Sequence, residues 1–176
     1  MTGVGNYRLL SERLGYEIAR HARSGESLTV MLLDLDGFKQ VNDTLGHLVG
    51  DRVLCEVAQA LETTIRAHDT LARQGGDEFS IIAPQTSESE ARRLAARLRE
   101  TVSRATNGSV TTSVGWVTSS ATTETPPTLL ELADADLRRN KAQRADHQDQ
   151  RSAVSQPRVA PVAGAWPRPL AHHTRG

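Results

Sequence analysis

Two short stretches of this chain hold carboxylates where chemistry would use them. The first, Asp34-Leu35-Asp36-Gly37, closes a near-continuous apolar run. The second, Arg73-Gln74-Gly75-Gly76-Asp77-Glu78-Phe79, sets a glycine pair and an acid pair between two apolar segments. Adjacent glycines supply the positive φ of a tight two-residue hairpin. They also clear side chains from the backbone, so another molecule can come close. Acids crowded at such a tip repel one another and suit a divalent cation. With oxygen donors and no histidine or cysteine cluster, magnesium or manganese fits better than zinc. Magnesium held by one or two carboxylates, and completed by water and substrate phosphates, is the usual equipment of phosphoryl and nucleotidyl transfer.

The elements that must position these acids follow from periodicity. Leu9, Leu10, Leu14 and Ile18 recur at helical spacing through Tyr7–Ser24, and Gly25 supplies a stop. Leu28–Leu35 is apolar almost throughout, the mark of a strand buried on both faces. A short helix over Phe38–Leu45 and a longer one over Gly50–Arg66 follow, with Val53, Leu54, Val57 and Leu61 on one face. Thr70–Ala72 and Phe79–Ala83 form the arms of the hairpin. Ser87–Val102 is a third major helix, opened by a Ser-x-Ser-Glu cap. Val110–Val117 is a strand, and Leu129–Gln143 is the last helix, with Pro126-Pro127 ahead of it. This order predicts an α+β fold with a ferredoxin-like β-α-β-β-α-β core, a central mixed sheet surrounded by helices. The strand ending at Asp34 then lies beside the tip carrying Asp77 and Glu78.

Composition narrows the partners. The chain has 176 residues, ample for one core, with 21 basic and 21 acidic side chains. That balance gives no global field for nucleic acid or an anionic membrane. A single cysteine, Cys55, excludes an internal disulfide, reads as core and fits a reducing cytoplasm. No apolar run reaches the roughly 18 residues of a transmembrane helix. The charge is unevenly spread: residues 151–176 hold arginines and prolines but no acid. The expected division is a folded domain over 1–145 and a disordered, weakly basic tail over 146–176.

The run Asp34-Leu-Asp-Gly-Phe-Lys-Gln-Val-Asn-Asp-Thr-Leu-Gly-His-Leu-Val-Gly-Asp51 resembles a long motif of the diguanylate cyclase, or GGDEF, family almost position for position. Gly75–Phe79 matches the signature that gives the family its name. Thr2-Gly3, Ser113-Val114-Gly115, and Ala133-Asp134 with Lys141 match further positions, so the resemblance spans residues 2–143. It implies a nucleotidyl-cyclase-like fold and a cytoplasmic enzyme that condenses two GTP into cyclic di-GMP and two pyrophosphates across a homodimer. By the same resemblance Asp34, the Leu35 carbonyl and Asp77 hold two magnesium or manganese ions in each half-site. Asp77 is the base toward the 3′-hydroxyl, and Glu78 is a secondary acid.

The resemblance assigns the substrate pocket to Asn42, His47 and Asp51, with Gly75 and Gly76 giving backbone room. Phe38, Lys39 and Lys141 would meet the phosphates. Asp51 agrees chemically, because guanine offers two adjacent N–H donors and adenine does not. An acceptor buried against the wrong base would cost about 1–3 kcal/mol. Arg66 and Asp69 stand at the family's Arg-x-x-Asp product-inhibition site, where an arginine fork grips phosphate and guanine together.

Departures from the family matter too. The acid that usually precedes Thr2-Gly3 has no counterpart. The usual phosphate-binding arginine position is Ala145, which leaves Arg144 to substitute one residue early, and no closing strand is legible in Ala145–Gln150. These favour an alternative in which the domain is catalytically weak or inactive and binds cyclic di-GMP through Arg66 and Asp69 as a receptor.

Overall fold

A computed structural model describes residues 2–119 and 125–154, with 145–154 described through their backbone only. The elements run α1 (Tyr7–Ser24), β1 (Leu28–Asp36), α2 (Phe38–Leu45), α3 (His47–Thr64), β2 (Thr70–Gly75), β3 (Glu78–Pro84), α4 (Glu88–Ala105), β4 (Thr111–Ser119) and α5 (Pro126–Val154). Local chemistry sets several boundaries. The Asn6 side chain accepts the Leu9 N–H at the start of α1, and Gly25 ends it at φ 69°. Ser87 and Glu90 close a reciprocal capping box on α4. Cys55, on α3, is partly buried.

The strands form one sheet in the order β2-β3-β1-β4, and β1 pairs with both β3 and β4. Each ladder is antiparallel, so the sheet is not mixed as the pattern suggested. The reason is topological. Each helical crossover returns the chain past one strand's width, and that gap is filled by β3 or by β1. The one parallel contact among the described residues is an isolated bridge between Gly5 and Ala72.

Alternation along β1 divides the core. Met31, Leu33 and Leu35 face α2, α3 and α4, packing with Phe38, Leu54, Leu61 and Leu98. Leu28, Val30 and Leu32 face the other way, against Leu10 and Leu14 of α1 and Leu129, Ala133 and Leu137 of α5. Since strand side chains alternate, Asp34 and Asp36 continue the α1/α5 face beyond the last apolar residue. The same rule puts the cross-strand partners of Asp34, Glu78 and Ser113, on that face.

Helix α5 lies directly on β4 at Gly115. A Cβ there would overlap the backbone of Leu137 and the Ala133 carbonyl. The contact fixes the height of α5 over the sheet and sends Lys141, one turn beyond Leu137, toward the end of β1. Helix α5 continues to Val154 rather than stopping at Gln143, and α3 starts at His47 rather than Gly50. The remainder of the expected tail, residues 155–176, lies outside the described residues.

Gly115→Ala should therefore lift α5 from β4 and cost about 1–3 kcal/mol of stability, the range for overpacking a dense contact. Urea unfolding of the variant beside the parent measures the loss. An unchanged midpoint would mean that α5 is not seated as described.

Candidate active site

The hairpin differs from a simple Gly-Gly turn. Arg73 pairs with Phe79 and Gly75 with Glu78, so Gln74 is an extra residue, a β-bulge in β2. The tip is then Gly76-Asp77, with Gly76 at φ 52°. Arg73 holds this tip closed. Its Nε and Nη2 both donate to the Gly76 carbonyl, at 3.0 and 2.7 Å. The Gln74 amide donates to the Ser80 hydroxyl on the neighbouring strand. The bulge and the fork could not be told from the sequence, where Arg73 reads equally well as a surface charge.

The tip meets the end of β1. The Leu35 N–H donates to the Asp77 carbonyl at 3.2 Å, and Asp34 sits opposite Glu78 in the ladder. Asp34, Leu35, Asp77 and Glu78 are thus brought together as the spacing suggested. Into this acidic corner comes Lys141 of α5, whose Nζ lies 2.6 Å from Asp34 Oδ2. Beside it a cavity of about 320 Å³ opens between α1, the hairpin and α5, lined by Tyr7, Gln74, Glu78, Phe79, Glu131 and Asp134. Among the described residues no three histidine, cysteine or carboxylate side chains converge on a metal position. Two carboxylates and a main-chain carbonyl suit a hard cation that takes its other ligands from water and phosphate. The ammonium on Asp34 marks a place where positive charge is already favoured.

Asp36, not singled out from sequence, is densely bonded. It accepts from Thr111, from Ser113 and from Arg144 Nη1 at 3.2 Å. Arg144 also donates to the Thr112 carbonyl at 2.6 Å. Here, then, Arg144 ties α5 to the edge of β4. Nearby, the Val114 carbonyl accepts from Arg99 and Asn140, and Asp136 accepts the Trp116 N–H. Burial, and Arg144 next to it, push the Arg99 pKa down.

The α2–α3 corner carries the remaining pocket residues. Gly37 turns the chain at φ 84°, and Phe38 is buried while Lys39 is exposed in the first turn of α2. Asn42 is partly buried against Gly50, where a Cβ would overlap its Oδ1 and touch the Phe38 ring. His47 and Asp51 are both exposed along the first turns of α3. Gly75 and Gly76 are likewise open, with nothing near the space a Cβ would fill.

Arg66 and Asp69 lie at the other end of β2 from the tip. Asp69 Oδ2 accepts the Arg66 N–H at 2.8 Å, while Oδ1 is buried without a hydrogen-bond partner. Burial raises the Asp69 pKa, a shift partly opposed by the Arg66 N–H and by the charges of His68, Arg66 and Arg97. Arg66 reaches Glu90 at 3.5 Å; hydrogen bonds from the Ser87 hydroxyl and N–H hold the Glu90 carboxyl down to about 2. A depression of about 100 Å³ here is lined also by Arg93 and Arg97 of α4. A second hollow, of about 410 Å³, lies between Arg66, Asp69 and the Gly3–Gly5 segment. Arg93 and Arg97 were missed in the sequence, although their i, i+4 spacing on an arginine-rich helix was the available signal.

Comparison with known proteins bears on the family and the fold. The family described as "Diguanylate cyclase, GGDEF domain" matches residues 1–147. Diguanylate cyclase DgcP of Pseudomonas aeruginosa is 40% identical over 147 residues, covering 80% of this chain and 22% of that protein. Response regulator PleD of Caulobacter vibrioides is 37% identical over 150 residues, covering 81% of this chain and 33% of that protein. The chain therefore spans no more than about a third of either relative's length. Among solved structures, the GGDEF domain of DgcB from Caulobacter crescentus, in complex with c-di-GMP, superposes with a TM-score of 0.75 at 30% identity. That match covers 81% of this chain and 88% of the other.

The state of Asp69 makes a pH prediction. With its folded pKa raised, Asp69 contributes stability that is complete below its unfolded value of about 3.9 and is lost as pH rises through the folded value. Asp69→Asn keeps an acceptor for the Arg66 N–H and removes the charge. Its stability relative to the parent should therefore climb as pH rises from about 3.9 through the raised folded value of Asp69, as read by urea midpoints. A difference that stays flat with pH would refute the buried-carboxylate reading.

Proposed function

The chain belongs to the diguanylate cyclase GGDEF-domain family, and from that membership we propose that it condenses two GTP into cyclic di-GMP and two pyrophosphates across a homodimer. The observation that carries the reading is the junction of β1 with the hairpin tip, where the Leu35 N–H bonds the Asp77 carbonyl at 3.2 Å. It brings two acid-bearing segments from distant parts of the chain to one corner, beside the start of α2. Two magnesium or manganese ions held by Asp34, the Leu35 carbonyl and Asp77 would polarise the α-phosphoryl group and acidify the attacking hydroxyl.

The chain's own residues do the rest. Asp51 and Asn42 read the guanine edge, with His47 at the same corner. The Phe38 and Lys39 N–H groups at the α2 N-terminus, the Lys39 ammonium and Lys141 hold the β- and γ-phosphates. Gly75 and Gly76 leave room for the ribose to lie on the backbone. Asp77 takes the 3′-hydroxyl proton, and Glu78 adds negative charge beside it. Each half-site holds one nucleotide, so turnover needs a second copy of the chain. No helix of the described residues is long and apolar enough to cross a membrane, which accords with cytoplasmic GTP as substrate.

A second reading, a receptor for cyclic di-GMP, is favoured by the arginines gathered around Asp69 and by the engagement of Arg144 with Asp36 and the Thr112 carbonyl. The two readings part in one set of measurements. Purified protein with GTP and magnesium should yield cyclic di-GMP by mass spectrometry, rising more than linearly with protein concentration. Asp34→Asn should lower that yield by more than about 100-fold, the upper end of what even an outer-shell metal partner is worth. Full turnover by Asp34→Asn would overturn the metal assignment. Absence of product, with cyclic di-GMP still bound in calorimetry, would select the receptor. In either case Arg66→Ala should weaken that binding roughly 10- to 100-fold, the loss of charge-assisted hydrogen bonds.

A further inference from the structure

We propose that Lys141 is a built-in counter-cation for the metal site: it holds Asp34 until nucleotide arrives, and so makes metal loading depend on nucleotide. The inference rests on the reading of Asp34 as a metal ligand and adds an order of binding to it. Lys141 Nζ stands 2.6 Å from Asp34 Oδ2, at the short end for an ammonium–carboxylate bond. The Asp34 side chain is 18% exposed and that of Lys141 40%, so the carboxylate is partly sheltered while the ammonium stays in reach of solvent and ligands. It joins α5 to β1 across most of the chain, with Gly115 setting the height of the helix.

Charge balance gives this contact its purpose. Asp34 faces Glu78 across the ladder and adjoins Asp77, so with no cation the corner would hold like charges together. The next cation along α5, Arg144, is engaged with Asp36 and the Thr112 carbonyl. Lysine suits a temporary partner. Its ammonium is a point charge on a flexible stem and can move between a carboxylate and a phosphate, whereas an arginine fork is committed to one geometry.

A divalent ion arriving alone must displace that ammonium and leave it without a partner. An ion arriving with a nucleoside triphosphate brings phosphate oxygens that receive the ammonium as it leaves Asp34. Metal and nucleotide therefore bind with positive coupling, and linkage makes the factor equal in both directions. The pair also keeps the corner closed to stray divalent ions between turnovers.

The test is titration of the full chain with Mn²⁺, free ion being followed by electron paramagnetic resonance, with and without a non-hydrolysable GTP analogue. Lys141→Met keeps the stem and removes the charge. It should bind Mn²⁺ alone at least about 5-fold more tightly than the parent, the lower bound of ordinary coupling. It should also show a smaller gain on adding the analogue. Lys141→Gln, prepared in parallel, should behave alike and serves if the methionine variant does not fold. If the parent binds Mn²⁺ only with the analogue, yet neither variant binds the ion alone more tightly, the counter-cation role is overturned while the metal site stands. If no protein binds Mn²⁺ even with the analogue, the metal site and the counter-cation role fall together.

Discussion

The register of β1 is the constraint on which the rest depends. Both of its edges are committed to antiparallel ladders and both of its faces to core. A slip of one residue would turn every side chain over, sending Asp34 into the core beside Phe38 and Leu54 and putting Leu35 in the corner where the acids now stand. Hydrophobic patterning thus fixes where the carboxylates stand. Leu28, Val30 and Leu32 anchor the α1/α5 face, and Asp34 and Asp36 are the same face carried past the edge of the core. The acids gain their position from apolar neighbours that take no part in the chemistry.

Electrostatic repulsion at the hairpin is managed by two basic residues acting in different ways. Among the described residues Arg73 touches no carboxylate; it spends its fork on the Gly76 carbonyl and thereby fixes the tip that displays Asp77. Lys141 meets the charge directly at Asp34. One supplies shape and the other supplies charge. Asp69 shows the opposite situation at the far end of β2, where a carboxylate is enclosed and one oxygen is left unbonded among the described residues. An enclosed acceptor left without a hydrogen bond is costly, and a donor brought to it would replace a missing bond rather than a solvated one.

Much of this was legible from the chain. The near-continuous apolar run of β1, the helical stripes of α1, α3 and α4, and the acids closing the run and between the hairpin arms all showed in the spacing. The relations between distant elements were hidden. Strand neighbours depend on which gaps the crossovers leave, so a sheet that reads as mixed is antiparallel throughout its ladders. The bulge at Gln74 shifts the turn by one residue, a difference of pairing and not of residue type. Lys141 reaches Asp34 because Gly115 admits α5 so closely, and no periodicity links those three positions. The true length of α5 was obscured by the reverse problem: no glycine or proline stands between Lys141 and Pro157, so nothing in that stretch prescribes a stop.

The outer edge of β4 has a consequence for how copies of this protein can meet. Its main-chain groups at Thr112, Val114 and Trp116 are answered by Arg144, by Arg99 with Asn140, and by Asp136. Side chains here do what an additional strand would do, and an arriving strand would have to break each of these bonds before gaining its own. The sheet is thereby insulated against growing edge to edge on that side. Two copies are steered away from joining their sheets at β4 into one continuous ribbon. Contact between copies along that edge is left to side-chain surfaces rather than to main-chain pairing.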